Sequence, residues 1–469
     1  MTQSKTPRSD QLDTLFGDLG VVHLPPGPSD ALVGQRIDAG GTIIVCYGID
    51  QNRVRLVLFD NKGQPINFSS GQPHVDVDVT PAAEPRLSQF VPTQIITGNS
   101  QKIYVIGTMY ITSFVEDSSN PVVFCLREDG FLDTSFGPSR NGIVHFEIAD
   151  IEPPPQKNKT WIDSRAALKL PRMPVQDFLA VSRSAPRRVP AMHLKHTSTS
   201  SRTLRLPPAF QAVAREVDLL LTFSTRYTSN AYDAGLVICL DEFGRLKTDF
   251  ASRGYTFLTH DGRPTYFSAI TYNANTSQII VGGGDLDPGD IKGDAIVCGL
   301  DAKGVPSPSY GTNGWTVVDH AFYGAQIDWL TNDNNNRTFG VGASWDRSPP
   351  IQQALLVGLE PDGAPLSAFA GGTVRFNLTT GEGYATGVVS TTEETTVLVK
   401  PTFNAQQGLA RYTRDGQPAN FYGNNGQLIF PRGTDISNIQ LQSDGKLLLI
   451  LGQYDEQGHV NLDLCRYLR

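Results

Sequence analysis

Short apolar runs recur along this chain, each closed off by glycine, proline or charged residues. They are TIIVCYG (42–48), KIYVIGT (102–108), DFLAVS (177–182), DLLLTF (218–223), QIIVGGG (278–284), RTFGVGA (337–343), TVLVKP (396–401) and KLLLILG (446–452). Runs of six or seven residues, rich in Val, Ile and Leu and bounded by turn formers, read as buried β-strands; a helix needs a longer stretch with a 3.6-residue period. Each is taken as an inner strand. Most of them lead into a second pattern, clearest at residues 122–146, VVFCLREDGFLDTSFGPSRNGIVHF: a strand, an Asp-Gly turn, an aromatic, a glycine pair and another strand.

The turn glycine recurs at Gly63, Gly130, Gly244, Gly304, Gly363 and Gly416. Six residues on come Phe136, Phe250, Tyr310, Phe369 and Tyr422, with Phe68 five residues after Gly63. A second glycine precedes the next strand at Gly142, Gly254, Gly314, Gly372 and Gly426. Glycine supplies the positive φ of a hairpin turn, and the aromatic gives a small sheet a large anchor to bury against its neighbour. A supersecondary unit repeated at this period signals a propeller or solenoid.

The turn spacings are 67, 114, 60, 59 and 53 residues. The long step holds its own strand candidates at 177–182, 191–194 and 202–206 but no turn glycine or aromatic. Eight blades are favoured, with 150–206 a degenerate blade; seven blades with a basic insertion at 150–206 is the alternative. At the ends, Leu12-Asp13-Thr14-Leu15-Phe16-Gly17 repeats Leu132-Asp133-Thr134-Ser135-Phe136-Gly137, so the chain begins just after a turn. It ends on a third strand, LDLCRYLR (462–469). Residues 11–24 are thus expected to complete the last blade with 434–469. Such closure removes an edge strand. The expected fold is all-β: one domain over 1–469, a closed propeller of four-stranded antiparallel blades.

The pattern D-G-x-L-D-x-S-F-G at 129–137, with Gln442-Ser443-Asp444-Gly445-Lys446 before an apolar run, resembles the bacterial delta-60 repeat family. The resemblance runs through nearly the whole chain, loosely at 241–254 and 301–314. It implies a propeller-like fold and a bacterial source, and carries no catalytic residues to transfer.

Composition narrows the classes. Glycine (45) and proline (31) are abundant among 469 residues, and charged residues make up 18%, as in a turn-rich folded chain. A net charge of −8 argues against nucleic acid as a partner. No stretch of eighteen apolar residues occurs, so no membrane span is expected. MTQSKTPRSDQLDTLFG lacks the apolar core of a secretory signal, which points to the cytoplasm or to export without a cleaved signal.

Candidate chemistry is sparse. Cys46, Cys125, Cys239, Cys298 and Cys465 show no C-x-x-C spacing and read as buried thiols. Asp285, Asp287, Asp290 and Asp294 fall within ten residues; hard cations want several such oxygens, so calcium is the one cofactor to consider, although the EF-hand glycine and glutamate are missing. Trp329 and Trp345 lie outside the repeated aromatic column and could serve as ligand platforms. Residues 157–205 carry eleven basic residues against two acids, which makes Arg183, Arg187 and Arg188 candidates for contact with an acidic partner. His145, His260 and His320 each close an expected fourth strand and read as edge residues. No nucleophile, base and oxyanion set assembles from local spacing. The leading expectation is a non-catalytic scaffold presenting loops on one propeller face to a protein or glycan. One alternative is an enzyme whose carboxylates and histidines meet from several blades at the central funnel; another is a building block of a secreted or surface assembly.

Overall fold

The computed structural model describes residues 12–24, 35–37, 41–80, 88–97, 102–112, 117–146, 211–227, 232–285, 293–319, 324–346, 351–402, 406–454 and 460–468. Among these, antiparallel strands build seven blades around a central axis. The first six span 35–78, 88–145, 211–260, 263–319, 324–376 and 383–429. The seventh combines 434–467 with Val21–His23, which pairs with 463–465 and closes the ring as the fourth strand. Blade 1 adds a two-residue strand, Pro65–Ile66, beside its turn.

The eight-blade expectation is corrected by the contact between blades 2 and 3. Gln94 in the innermost strand of blade 2 donates through Nε2 to the Ala212 carbonyl of blade 3 (2.9 Å), and its Oε1 accepts the Ala212 amide (2.7 Å). Farther out, the Gly137 N–H donates to the Phe243 carbonyl (2.8 Å). A Cβ on Gly244 would stand 2.9 Å from the Phe136 ring. Blades 2 and 3 are therefore direct neighbours from axis to rim, with no room for a blade between them. Residues 150–206 lie outside the described residues.

That step is one instance of a rule. The same wedge of an anchor aromatic into the turn of the next blade, on the glycine that has no side chain to obstruct it, recurs with Phe16 on Gly63, Phe68 on Gly130, Phe250 on Gly304 and Tyr310 on Gly363. The residue after the aromatic donates its amide to the carbonyl before that glycine, as in Gly17 to Lys62, Ala251 to Lys303, Gly311 to Asp362 and Ala370 to Asp415. The core accordingly lies in wedges between blades, such as Tyr104, Phe136, Leu219 and Leu236 between blades 2 and 3.

The apolar runs among the described residues are second strands, not the innermost ones. Ile43–Gly48 and Gln278–Asp285 are buried at every position, being covered on both faces and paired on both edges. The innermost strands, such as Ser88–Thr97 and Gly324–Asn332, are more polar because one edge faces the axis. Five of them bulge at the same level, the register skipping Thr93, Ser268, Asp328, Thr386 and Ser437. All are small polar residues, suited to a position where the ladder is interrupted.

A further repeat is ionic. The start of the second strand pairs with the residue after the outer turn: Lys102 with Asp133 (2.8 Å), Lys446 with Asp13 (2.9 Å) and, with the charges exchanged, Asp218 with Lys247 (2.7 Å).

Candidate functional site

The two ends of the ring differ. The turn end carries the tight outer turns; the loop end carries the connections between blades. At the loop end, blades 3 and 4 are joined by a two-residue turn, Asp261-Gly262, with φ of 49° and 75°. Positive φ at both central residues is the twist-matched hairpin turn that Asp-Gly favours. It sets His260 opposite Arg263 and fuses the two blades into one eight-stranded sheet.

This hairpin carries a compact polar cluster at the loop end. His260 Nδ1 lies 2.7 Å from Asp285 Oδ2. Asp285 is completely buried, and its Oδ1 accepts the Asp294 amide (2.9 Å). An ionised carboxylate only accepts, so Nδ1 is the donor and, in the neutral ring, Nε2 carries the lone pair. Arg263 Nη1 stands 3.6 Å from the same Asp285 oxygen and 3.9 Å from Asp294. Behind the imidazole lies the Trp315 ring at 5.0 Å, with Phe267 stacked on Trp315 at 6.3 Å. A base with a fixed tautomer, a guanidinium and an apolar wall can together orient a polar ligand.

The turn end carries exposed apolar side chains among its turn carboxylates. Of the ten most exposed large apolar side chains among the described residues, nine lie there: Leu15, Leu19, Phe131, Val217, Phe243, Leu246, Val305, Phe421 and Leu468. Ile351 alone is at the loop end. They form two arcs, one over blades 2–4 and one over blades 6–7. Arg127 lies 5.9 Å from the Phe131 ring and Arg245 4.8 Å from that of Phe243. Between blades 6 and 7 the same end holds a small cleft lined by Thr391, Glu394, Arg411 and Leu441. At its base Arg411, 2% exposed, packs 3.9 Å from the Tyr422 ring and 3.7 Å from Glu394. Burial pushes the Tyr422 hydroxyl up to about 12 although Arg411 pulls the other way.

Of the four aspartates expected at the 285–294 loop, Asp285 and Asp294 meet, while Asp287 and Asp290 lie outside the described residues. Among the described residues no group of three or more His, Cys, Asp or Glu is placed to hold a metal ion. Trp345 is 2% exposed against Ala343 and Tyr384, and Trp329 is half-buried on the cluster around Phe339 and Val388. Arg183, Arg187 and Arg188 lie outside the described residues, as does His320. All five cysteines are free, buried thiols, and burial pushes those of Cys125 and Cys239 up to about 12. His260, read from the sequence as an edge residue, is 8% exposed. Its signal was the Asp-Gly pair between His260 and Arg263, which is a hairpin turn by itself. The turn-end arcs had a signal too: Phe131, Phe243 and Val305 flank turn glycines where polar residues are usual.

No protein-family model matches the chain, and no curated protein does. The likeness of 129–137 to the delta-60 repeat thus remains one of motif. Solved structures of similar shape include the polysaccharide lyase Uly1, with 10% identity, 97% of this chain and 92% of that one covered, and a TM-score of 0.43. A PL25 ulvan lyase gives 8%, 94%, 95% and 0.44. A protein of unknown function from Dyadobacter fermentans DSM 18053 gives 9%, 96%, 100% and 0.38. At such values the likeness says nothing of this chain's chemistry. Among the described residues no helix is long and apolar enough to cross a membrane.

Proposed function

We propose that the protein is an interaction scaffold whose turn end docks another protein. The observation that carries this reading is the gathering of nine of ten exposed large apolar side chains on one end of the ring. Scattered exposed apolar residues need no explanation, whereas a gathered set is the mark of a docking surface. Phenylalanines capped by Arg127 and Arg245 add the residue types that dominate the energetic centres of protein interfaces. The test is a variant carrying Phe131→Ser, Phe243→Ser and Val305→Ser, used as bait beside the unaltered protein in an extract of the source cells. A partner held by the unaltered chain and lost by the variant, at unchanged melting temperature, supports the reading. Equal recovery by both chains sinks it.

A second reading, an enzyme, is favoured by the buried His260–Asp285 pair beside Arg263 at the opposite end. Its test is loss of turnover on His260→Asn. Calcium at the 285–294 loop is a separate proposal, tested by a thermal shift that a chelator reverses.

A further inference from the structure

We infer that the loop end of blades 3 and 4 binds a hydroxy acid, with Arg263 taking its carboxylate and His260 Nε2 accepting a hydrogen bond from its hydroxyl. The inference rests on the second reading for its residues but concerns binding, not turnover. Asp285 is spent: it is fully buried, with one oxygen on His260 and the other on the Asp294 amide. Among the described residues the two side chains it organises are not. His260 Nε2 makes no hydrogen bond among the described residues, its nearest charged neighbour being Asp261 at 3.9 Å. Arg263 is 38% exposed and makes two long ion contacts with no hydrogen bond among the described residues. A guanidinium offers five donors, so most of its capacity faces outward. His260 Nδ1 and Arg263 Nη1 both approach one Asp285 oxygen, and the two residues stand opposite each other across the hairpin, so the imidazole and the guanidinium are neighbours.

The neighbouring charges select the ligand. Asp261, Asp285 and Asp294 offset the positive charge of Arg263, so a bare anion gains little from it. A neutral polyol reaches only one acceptor. A molecule with both a carboxylate and a nearby hydroxyl uses both functions at once, and the Trp315–Phe267 stack closes the side away from water.

The experiment titrates the full chain with D-gluconate by calorimetry, beside sorbitol, the same polyol without the carboxylate, and acetate, the carboxylate without the hydroxyls. Gluconate is expected to bind, and both controls at least about tenfold more weakly, the scale of one hydrogen bond to a charged group. Arg263→Met should weaken gluconate by a similar factor, and Arg263→Lys by less. His260→Asn keeps a donor for Asp285 while removing Nε2, so it too should bind about tenfold more weakly at a melting temperature near that of the unaltered chain. Acetate matching gluconate, binding that survives both Arg263→Met and His260→Asn, or a gluconate Kd weaker than about 20 mM would overturn the assignment. If His260→Asn fails to fold, the Met and Lys variants at the exposed Arg263 decide it. Binding without turnover leaves the site standing and removes the enzyme reading.

Discussion

Gly244 has φ of 73° and no space for a Cβ, because the Phe136 ring stands 2.9 Å from where one would be. Gly262 has nearly the same φ, 75°, and nothing within 4 Å. Alanine at both positions separates two costs. Gly262→Ala should destabilise by about 1 kcal/mol, the cost of a side chain in the left-handed region. Gly244→Ala should lose about 1–3 kcal/mol more from overpacking, read as the difference in urea midpoints at constant slope. The recurrence of glycine and aromatic was legible in the sequence because local turn geometry imposes it. That the aromatic serves the next blade's glycine was not, because the partner lies 47 to 108 residues farther on.

Strands were legible wherever burial on both faces makes them uniformly apolar, and their order within a blade was misplaced for the same reason. The most apolar run belongs to the most enclosed strand, which is second from the axis; the innermost strand, with Gln94, Gln211 and the bulge residues, looks like loop. Packing also set the blade number: 114 residues between turn glycines can hold two blades, and only the contacts of Gln94 and Phe136 show that they do not. The ionic clamp in blade 2 gives a test at this scale. Reversing one partner, Lys102→Asp, should cost about 1–3 kcal/mol, leaving Asp133 beside a like charge. Adding Asp133→Lys should restore part of that, since blade 3 already carries the exchanged pair. Full recovery is not expected, because Asp133 also accepts from the Ser135 amide and hydroxyl. A double-mutant cycle measures the coupling.

For the ring as a whole, closure depends on Asp13, 3% exposed and held by Lys446 at 2.9 Å and Arg466 at 2.6 Å. Burial alone would raise its carboxyl, but the Lys446 hydrogen bond, the Leu15 amide and the Arg466 charge together hold it below the usual value. A depressed folded-state pKa contributes stability that is present above the unfolded value and lost as pH falls through the folded one. Stability should therefore drop in acid, below about pH 4. Asp13→Asn should lose about 3 kcal/mol at neutral pH by stranding the buried Arg466, and show a shallower acid decline. Asp50, Asp76 and Asp133, also held low, keep the remaining slope. Urea titrations across that pH range check both. Closure itself was legible, since residues 12–17 copy 132–137; the hydroxy-acid site was not, because Asp285 and His260 meet only once two blades share a sheet.

Blades 2 and 3 grip each other through Gln94, Phe136 and Gly137, contacts that survive a break in the peptide link between residues 146 and 211. A split protein should result from cutting it. The piece ending at Phe146 would hold two blades and lend the strand Val21–His23 to the other piece, whose Gly244 would receive Phe136 in return. Each half would thus clasp the other at both of its ends, like two interlocked hooks. Co-expressed as residues 1–146 and 211–469, the halves should elute together in size exclusion at the volume of the intact chain and melt in one transition. Each alone, with its clasp unfilled, should aggregate.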